Sequence, residues 1–180
     1  MSDKGTYTPP IRTTFNVAPD TYLVPRVTTE MMRVMWSSMS EPQREEFRTI
    51  YGERYAELFF YKEIRDAEHS AAIFVGPQLA CLMWTGWSAG KNGKRLRTMG
   101  CVCSEYAIRN PVGFVKRTRA GRDAFLMSEP PDVEEVFVCI DGTFQQSRNW
   151  AVRVCDFREY CRLMVNGKEV VCYHYKIGGW

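Results

Sequence analysis

Apolar positions recur at helical spacing through the first part of this chain and at strand spacing later. Each change of period falls at a cap or turn residue. Tyr22 to Val27, YLVPRV, reads as a short strand, and Pro25, which has no amide for a ladder, places it at a sheet edge or a strand end. Thr28 or Thr29 then caps a helix through Ser37 or Ser38, with Met31, Val34 and Met35 on its buried stripe. Ser40-Glu41-Pro42-Gln43 starts another: Ser40 caps, Pro42 sits in the first turn, and Gln43 is placed to bond back to the cap amide. Phe47, Ile50 and Tyr51 form its stripe and Gly52 its stop, after which Glu53 to Arg65 continues helical.

From Ala71 onward the pattern is that of strands. AAIFV, Gly76-Pro77-Gln78 and LACLMWTGW form a hairpin, and SAGKNG turns into a third strand, KRLRTMGCVC. Asn110-Pro111 opens a helix to about Met127, which Glu129-Pro130-Pro131 breaks. VEEVFVCID is a strand closed by Asp141-Gly142, and SRNWAVRVCDF a helix with Trp150, Ala151, Val154 and Cys155 on one side. REYCRLMV and EVVCYHYKI flank Asn166-Gly167, a hairpin signal. Strands covered by helices on both faces read as continuous apolar runs, so Phe74, Leu82, Trp84, Val136, Val138, Ile140 and Val154 are the expected core.

A chain of 180 residues can bury a single real core, here residues 21–180. Its 45% hydrophobic and 13% aromatic content excludes a disordered chain. No apolar run approaches the roughly 18 residues of a membrane span. Residues 1–20 carry Pro9, Pro10 and Pro19 among threonines and read as an extended arm without helix or sheet of its own. Tyr7, Ile11 and Phe15 are spaced to fill pockets on a partner that orders it.

The N-terminus lacks the apolar core of a secretory signal, so the seven cysteines are expected as reduced thiols in a cytosolic setting. Cys101-x-Cys103 is the tight pair. Its spacing falls short of the about two to four intervening residues usual at zinc sites, and in a strand both side chains share one face, so packing rather than a metal is expected. Cys81, Cys139, Cys155, Cys161 and Cys172 lie singly in apolar runs, where buried thiols usually sit.

The net charge is only +3, but it is uneven. Lys91, Lys94, Arg95, Arg97, Arg109, Lys116, Arg117, Arg119 and Arg122 stand against one acid, Glu105. Such a face can follow nucleic acid or hold a cofactor's phosphates, and it can equally be a solvated helix face; no motif with interleaved aromatics accompanies it.

The resulting order is β-α-α-β-β-β-α-β-α-β-β, an α/β (α+β) arrangement that resembles the GNAT N-acetyltransferase fold across residues 21–177. The segments TTEMMRVMWSSMSEPQREEF, IFVGPQLACLMW, the basic helix, VFVCID and the final hairpin are similar to the GNAT-like proteins of short-tailed bacteriophages. The resemblance implies a mixed, mostly antiparallel sheet flanked by helices. In it the fourth strand and following helix hold the pyrophosphate of acetyl-CoA, and the fifth strand splays away from the fourth. The phage likeness implies virion protein partners and a location in the virion and host cytoplasm.

The residues matching the pyrophosphate segment are Val102, Arg109, Asn110, Gly113 and Lys116. The family's glycine-rich pattern lets backbone amides approach the phosphates. Here Ala107, Ile108 and Asn110 stand in its place, Pro111 has no amide proton, and Gly113 alone remains. The family's general-acid Tyr is missing from the helix Ser147 to Cys155, which leaves Cys155 and Tyr160 as substitutes and Glu105 as a candidate base, with Glu68, His69 and His174 behind it. These departures imply a GNAT-like protein whose chemistry has decayed, virion-associated and without a cofactor; the alternative is a working acetyltransferase that uses acetyl-CoA on a host or phage amine.

Overall fold

The computed structural model describes residues 15–89, 95–109 and 111–178. The elements run β1 (Phe15–Ala18), β2 (Thr21–Pro25), α1 (Thr29–Ser38), α2 (Glu41–Tyr51), α3 (Ala56–Asp66), β3 (His69–Val75), β4 (Gln78–Ala89) and β5 (Arg95–Cys103). Then come α4 (Glu105–Arg109), α5 (Pro111–Leu126), β6 (Glu135–Asp141), α6 (Gln145–Arg153), β7 (Arg158–Val165) and β8 (Lys168–Lys176). The eight strands form one sheet in the order β1-β2-β3-β4-β5-β6-β8-β7. Every neighbouring pair is antiparallel except β5 and β6.

Period-two alternation assigns each strand residue to one of two cores. Ala72, Phe74, Leu82 and Val102 face Met31 and Met35 of α1 and Phe60 and Ile64 of α3. Their neighbours Ala71, Ile73, Val75, Cys81 and Met83 face Phe125 and Leu126 of α5 and Ala151 of α6. With helices on both sides, the centres of β3 and β4 have no wet face, which is why Ala71 to Val75 and Leu79 to Trp84 are apolar without interruption.

Local signals hold where a short-range hydrogen bond decides them. Thr28 Oγ1 accepts from the Met31 amide at 3.2 Å and starts α1. Asn166 and Gly167 have φ of 51° and 78°, the pair of left-handed residues that a two-residue hairpin requires. At Ser40 the side chain makes no cap bond, and the Gln43 amide instead donates to the Ser40 carbonyl at 3.1 Å. The helical run expected from Glu53 starts at Ala56, because Gly52 at φ 83° ends α2 and turns the chain. Four residues read with the arm form β1, an edge strand paired with β2; residues 1–14 lie outside the described residues, as do 90–93 of the expected SAGKNG turn and Lys94 of the strand expected after it. Of the expected core, Phe74, Leu82, Trp84, Val136 and Ile140 are buried, whereas Val138 and Val154 are only half-buried.

Candidate functional site

Those two valines are half-buried because they line a cavity of about 810 Å³. It opens where the two halves of the sheet meet. The parallel ladder between β5 and β6 consists of the single pair Thr98 and Phe137, and beyond it Met99 to Cys103 and Val138 to Ile140 become facing walls. The remaining walls come from both faces of the sheet: Glu46, Phe47, Tyr51 and Glu63 from α2 and α3 on one side, Ala107, Ile108, Ser147 and Trp150 from α4 and α6 on the other.

Two carboxyls in this mostly apolar space titrate near neutrality. Burial pushes Glu46 up to about 7, helped by the nearby Asp141 charge and opposed by the Asp141 amide, which donates to Glu46 Oε1 at 3.1 Å. Burial likewise raises Glu63 to about 7, against the opposing indole of Trp84. The Tyr51 hydroxyl donates to Glu63 Oε1 and fixes that oxygen. Trp84 lies flat across its cross-strand partner Gly100, where a Cβ would come within 2.1 Å of the indole, so only glycine lets the ring take this place. Gln43 Oε1 and Trp150 Nε1, both on the cavity wall, are buried with no hydrogen-bond partner. Neither Glu46 nor Glu63 was singled out from the sequence.

Three cysteines meet here, two of which, Cys101 and Cys103, line the cavity. Cys81 of β4 is in register with Cys103 of β5, Cys101 lies two residues earlier on the same face, and the three Sγ atoms are all within 4.8 Å of one another. Contact with Cys101 and Cys81 pulls the Cys103 thiol down, while contact with Cys103 pushes Cys101 up, and contact with Cys101 and Cys103 pushes Cys81 up.

Solved structures sharing this architecture include an aminoglycoside N(6')acetyltransferase from Legionella pneumophila, 10% identical with a TM-score of 0.61, covering 87% of this chain and 92% of that one. A ribosomal L7/L12 alpha-N-protein acetyltransferase in complex with coenzyme A is 11% identical, TM-score 0.58, covering 91% and 98%. A GCN5-related N-acetyltransferase from Brucella melitensis is 15% identical, TM-score 0.60, covering 95% and 81%. The fold is the GNAT fold. No protein-family model and no curated protein matches the sequence.

The GNAT frame puts the residues expected at the pyrophosphate segment in context. Val102 is buried and lines the cavity. Arg109 is exposed and paired with Glu105 at 3.2 Å, one turn away on α4, while Lys116 is exposed on α5. Asn110 lies outside the described residues, and Gly113 falls in the first turn of α5. The amides of Ala107 and Ile108 both donate to the Ser104 carbonyl, so these two are already engaged within the turn.

None of the expected catalytic candidates lines the cavity. Glu105 is exposed at the start of α4. Cys155 is buried beyond α6, its thiol pushed well up by burial and its carbonyl accepting from Arg122 Nη1 at 2.5 Å. Tyr160 is exposed on β7, packed edge-on against Phe137.

Two described cations of the basic stretch, Arg97 and Arg122, are buried, whereas Arg95, Arg109, Lys116 and Arg119 are exposed. Arg97 is buried against Glu129 and Glu68 at 2.6 Å each. Arg119 donates to the Val154 and Arg153 carbonyls and Arg122 to that of Cys155, so α5 supplies the donors for the C-terminus of α6. Run counts do not reveal such roles, because a sequence does not say which cations turn inward.

Proposed function

We propose that this protein is an N-acyltransferase that moves an acyl group from acyl-CoA to an amine, with Glu63 as general base and Glu46, on the wall of the same cavity, as a second carboxylate. One observation carries the reading: the opening between β5 and β6 leads to two desolvated carboxyls poised near pH 7. A base has to accept a proton from an amine at neutral pH, and a carboxyl raised to about 7 combines useful basicity with substantial ionisation there. The Tyr51 hydroxyl orients Glu63, and Gln43 Oε1 offers an acceptor for a second N–H of the incoming amine.

The residues fit the acyl end of the cofactor better than its phosphates. The parted edge of β5 from Gly100 to Val102, the unpaired Trp150 Nε1 and the Ser147 side chain would hold the acyl-pantetheine arm, while the Ala107 and Ile108 amides are already engaged by Ser104. When bound, the thioester supplies an activated carbonyl. The test is to incubate acetyl-CoA with a panel of polyamines, aminoglycosides and peptide N-termini and to quantify free CoA and acetylated product chromatographically. Transfer to at least one amine is expected, with Glu63→Gln lowering turnover by roughly 10²-fold or more. Absence of transfer, together with no melting shift at millimolar acetyl-CoA, would overturn the proposal.

A second reading follows from the phage resemblance: a GNAT-like protein without catalysis that assembles with other virion proteins, in the virion and the host cytoplasm. Edge strand β7 favours it, with Tyr160, Leu163, Met164 and Val165 exposed on an open ladder. Under this reading Met164→Lys releases the protein from purified particles and leaves its melting temperature unchanged.

A further inference from the structure

We propose that Cys81, Cys101 and Cys103 form a binding site for a thiophilic divalent cation of the zinc class, three thiolates from two paired strands with the fourth position facing the cavity. Register creates the site. Cys81 and Cys103 are opposite each other on β4 and β5, and Cys101 shares their face. All three sulfurs lie within 4.8 Å of one another, Cys81 and Cys101 at 3.3 Å, and all three are free thiols. Tetrahedral zinc with Zn–S bonds of about 2.3 Å needs sulfurs about 3.8 Å apart, which small side-chain rotations supply here.

The donor set selects the ion. Three soft sulfurs with no carboxylate among them disfavour calcium and magnesium, which take oxygen ligands. Charge selects it too: three thiolates together are unfavourable in an apolar core, and a divalent cation reduces their total from −3 to −1. Cys81 is buried off the cavity wall, whereas half-buried Cys101 and buried Cys103 both line the cavity, so the open coordination position points where a water or a ligand's thiol can reach. Three protein ligands and one open position are the pattern of zinc sites that do chemistry rather than close a fold.

The experiment uses the full chain, stripped of metal under reducing conditions and then freed of reductant anaerobically. Zn²⁺ is titrated against a chromophoric chelator, and Cd²⁺ is added to read the thiolate-to-metal absorption band. One ion per chain is expected, with the Cd²⁺ band present. Cys101→Ser, at the least buried of the three positions, and Cys81→Ser should each weaken Zn²⁺ binding at least roughly tenfold. Cys161→Ser, outside the trio, should leave it unchanged. The proposal is overturned by no binding at micromolar free Zn²⁺, by equal affinity in Cys101→Ser and wild type, or by peptide mapping that finds Cys81 in a disulfide with Cys101 or Cys103. No acyl-CoA is present, so the result is independent of the acyltransferase assay.

Discussion

Replacing Glu63 and Glu46 by glutamine tests the cavity's electrostatics without assuming any activity. Both carboxyls rise from an ordinary 4.5 to about 7 because burial disfavours their charged form. The folded state therefore binds protons that the unfolded chain has released, so the contribution is fully present below about pH 4.5 and lost as pH rises through about 7. A shift of about 2.5 units at about 1.36 kcal/mol per unit sets a ceiling of about 3 kcal/mol per carboxyl, which water in the open cavity reduces to the order of 2 kcal/mol. Glutamine keeps the shape and the acceptor oxygen but cannot ionise.

Urea unfolding of wild type and Glu63→Gln at about pH 5 and about pH 8 isolates the effect, because the difference between them cancels the groups they share. The exposed carboxyls of Glu41, Asp66, Glu68 and Glu159 are held low by arginine or lysine partners, and their contribution is common to both proteins. Glu63→Gln should gain on wild type by about 2 kcal/mol between the two pH values, equivalent to roughly 4–8 °C in melting temperature for a domain of this size. Glu46→Gln should behave alike. A stability difference that is the same at both pH values would refute the argument and remove the physical basis for a base at Glu63.

The ion cluster of Arg97 and Glu129, both side chains buried, should be intolerant of losing one partner: Glu129→Gln is expected to cost on the order of 3 kcal/mol in urea unfolding, more than any exposed pair such as Glu30 with Arg33. Gly100→Ala forces the Trp84 ring off the strand and should cost about 1–3 kcal/mol, with a change in tryptophan fluorescence that Gly86→Ala, with open space around it, does not produce. Phe74→Ala, at a fully buried position stacked on Tyr22, should cost about 3–5 kcal/mol; a loss below about 1 kcal/mol would mean that Phe74 of β3 is not packed in the core.

Strands, helices and hairpins were legible because their determinants are local: the Thr28 cap, the Asn166-Gly167 turn, the alternation in β3 and β4. The cavity was not, since its walls belong to elements far apart in sequence. A trace was nevertheless there. Gln43, Glu46, Phe47 and Ile50 fall at i, i+3, i+4 and i+7, as do Phe60, Glu63, Ile64 and Ala67, so each glutamate occupies a core position of an apolar stripe. A charged residue placed there has to find a partner or change its titration, and both glutamates change it. The cysteine trio needed one further fact, the β4–β5 register, because a slip of one residue would turn Cys81 to the opposite face of the sheet.

The site's location follows from the sheet's one parallel junction. Strands β1 to β5 descend as an antiparallel meander, β6 to β8 form a second unit, and the two meet through a single rung. Beyond that rung Met99 to Cys103 and Val138 to Ile140 line the cavity instead of pairing with each other, and backbone groups outside a ladder require partners from elsewhere. A wedge of this kind gives up ladder bonds and apolar contacts, as the half-buried Val138 and Val154 show. An extended ligand with amide groups could restore both at once by lying between the strands. That complementarity, rather than the glycine-poor turn at Ala107 and Ile108, is the stronger physical reason to expect the arm of an acyl-CoA in this cleft.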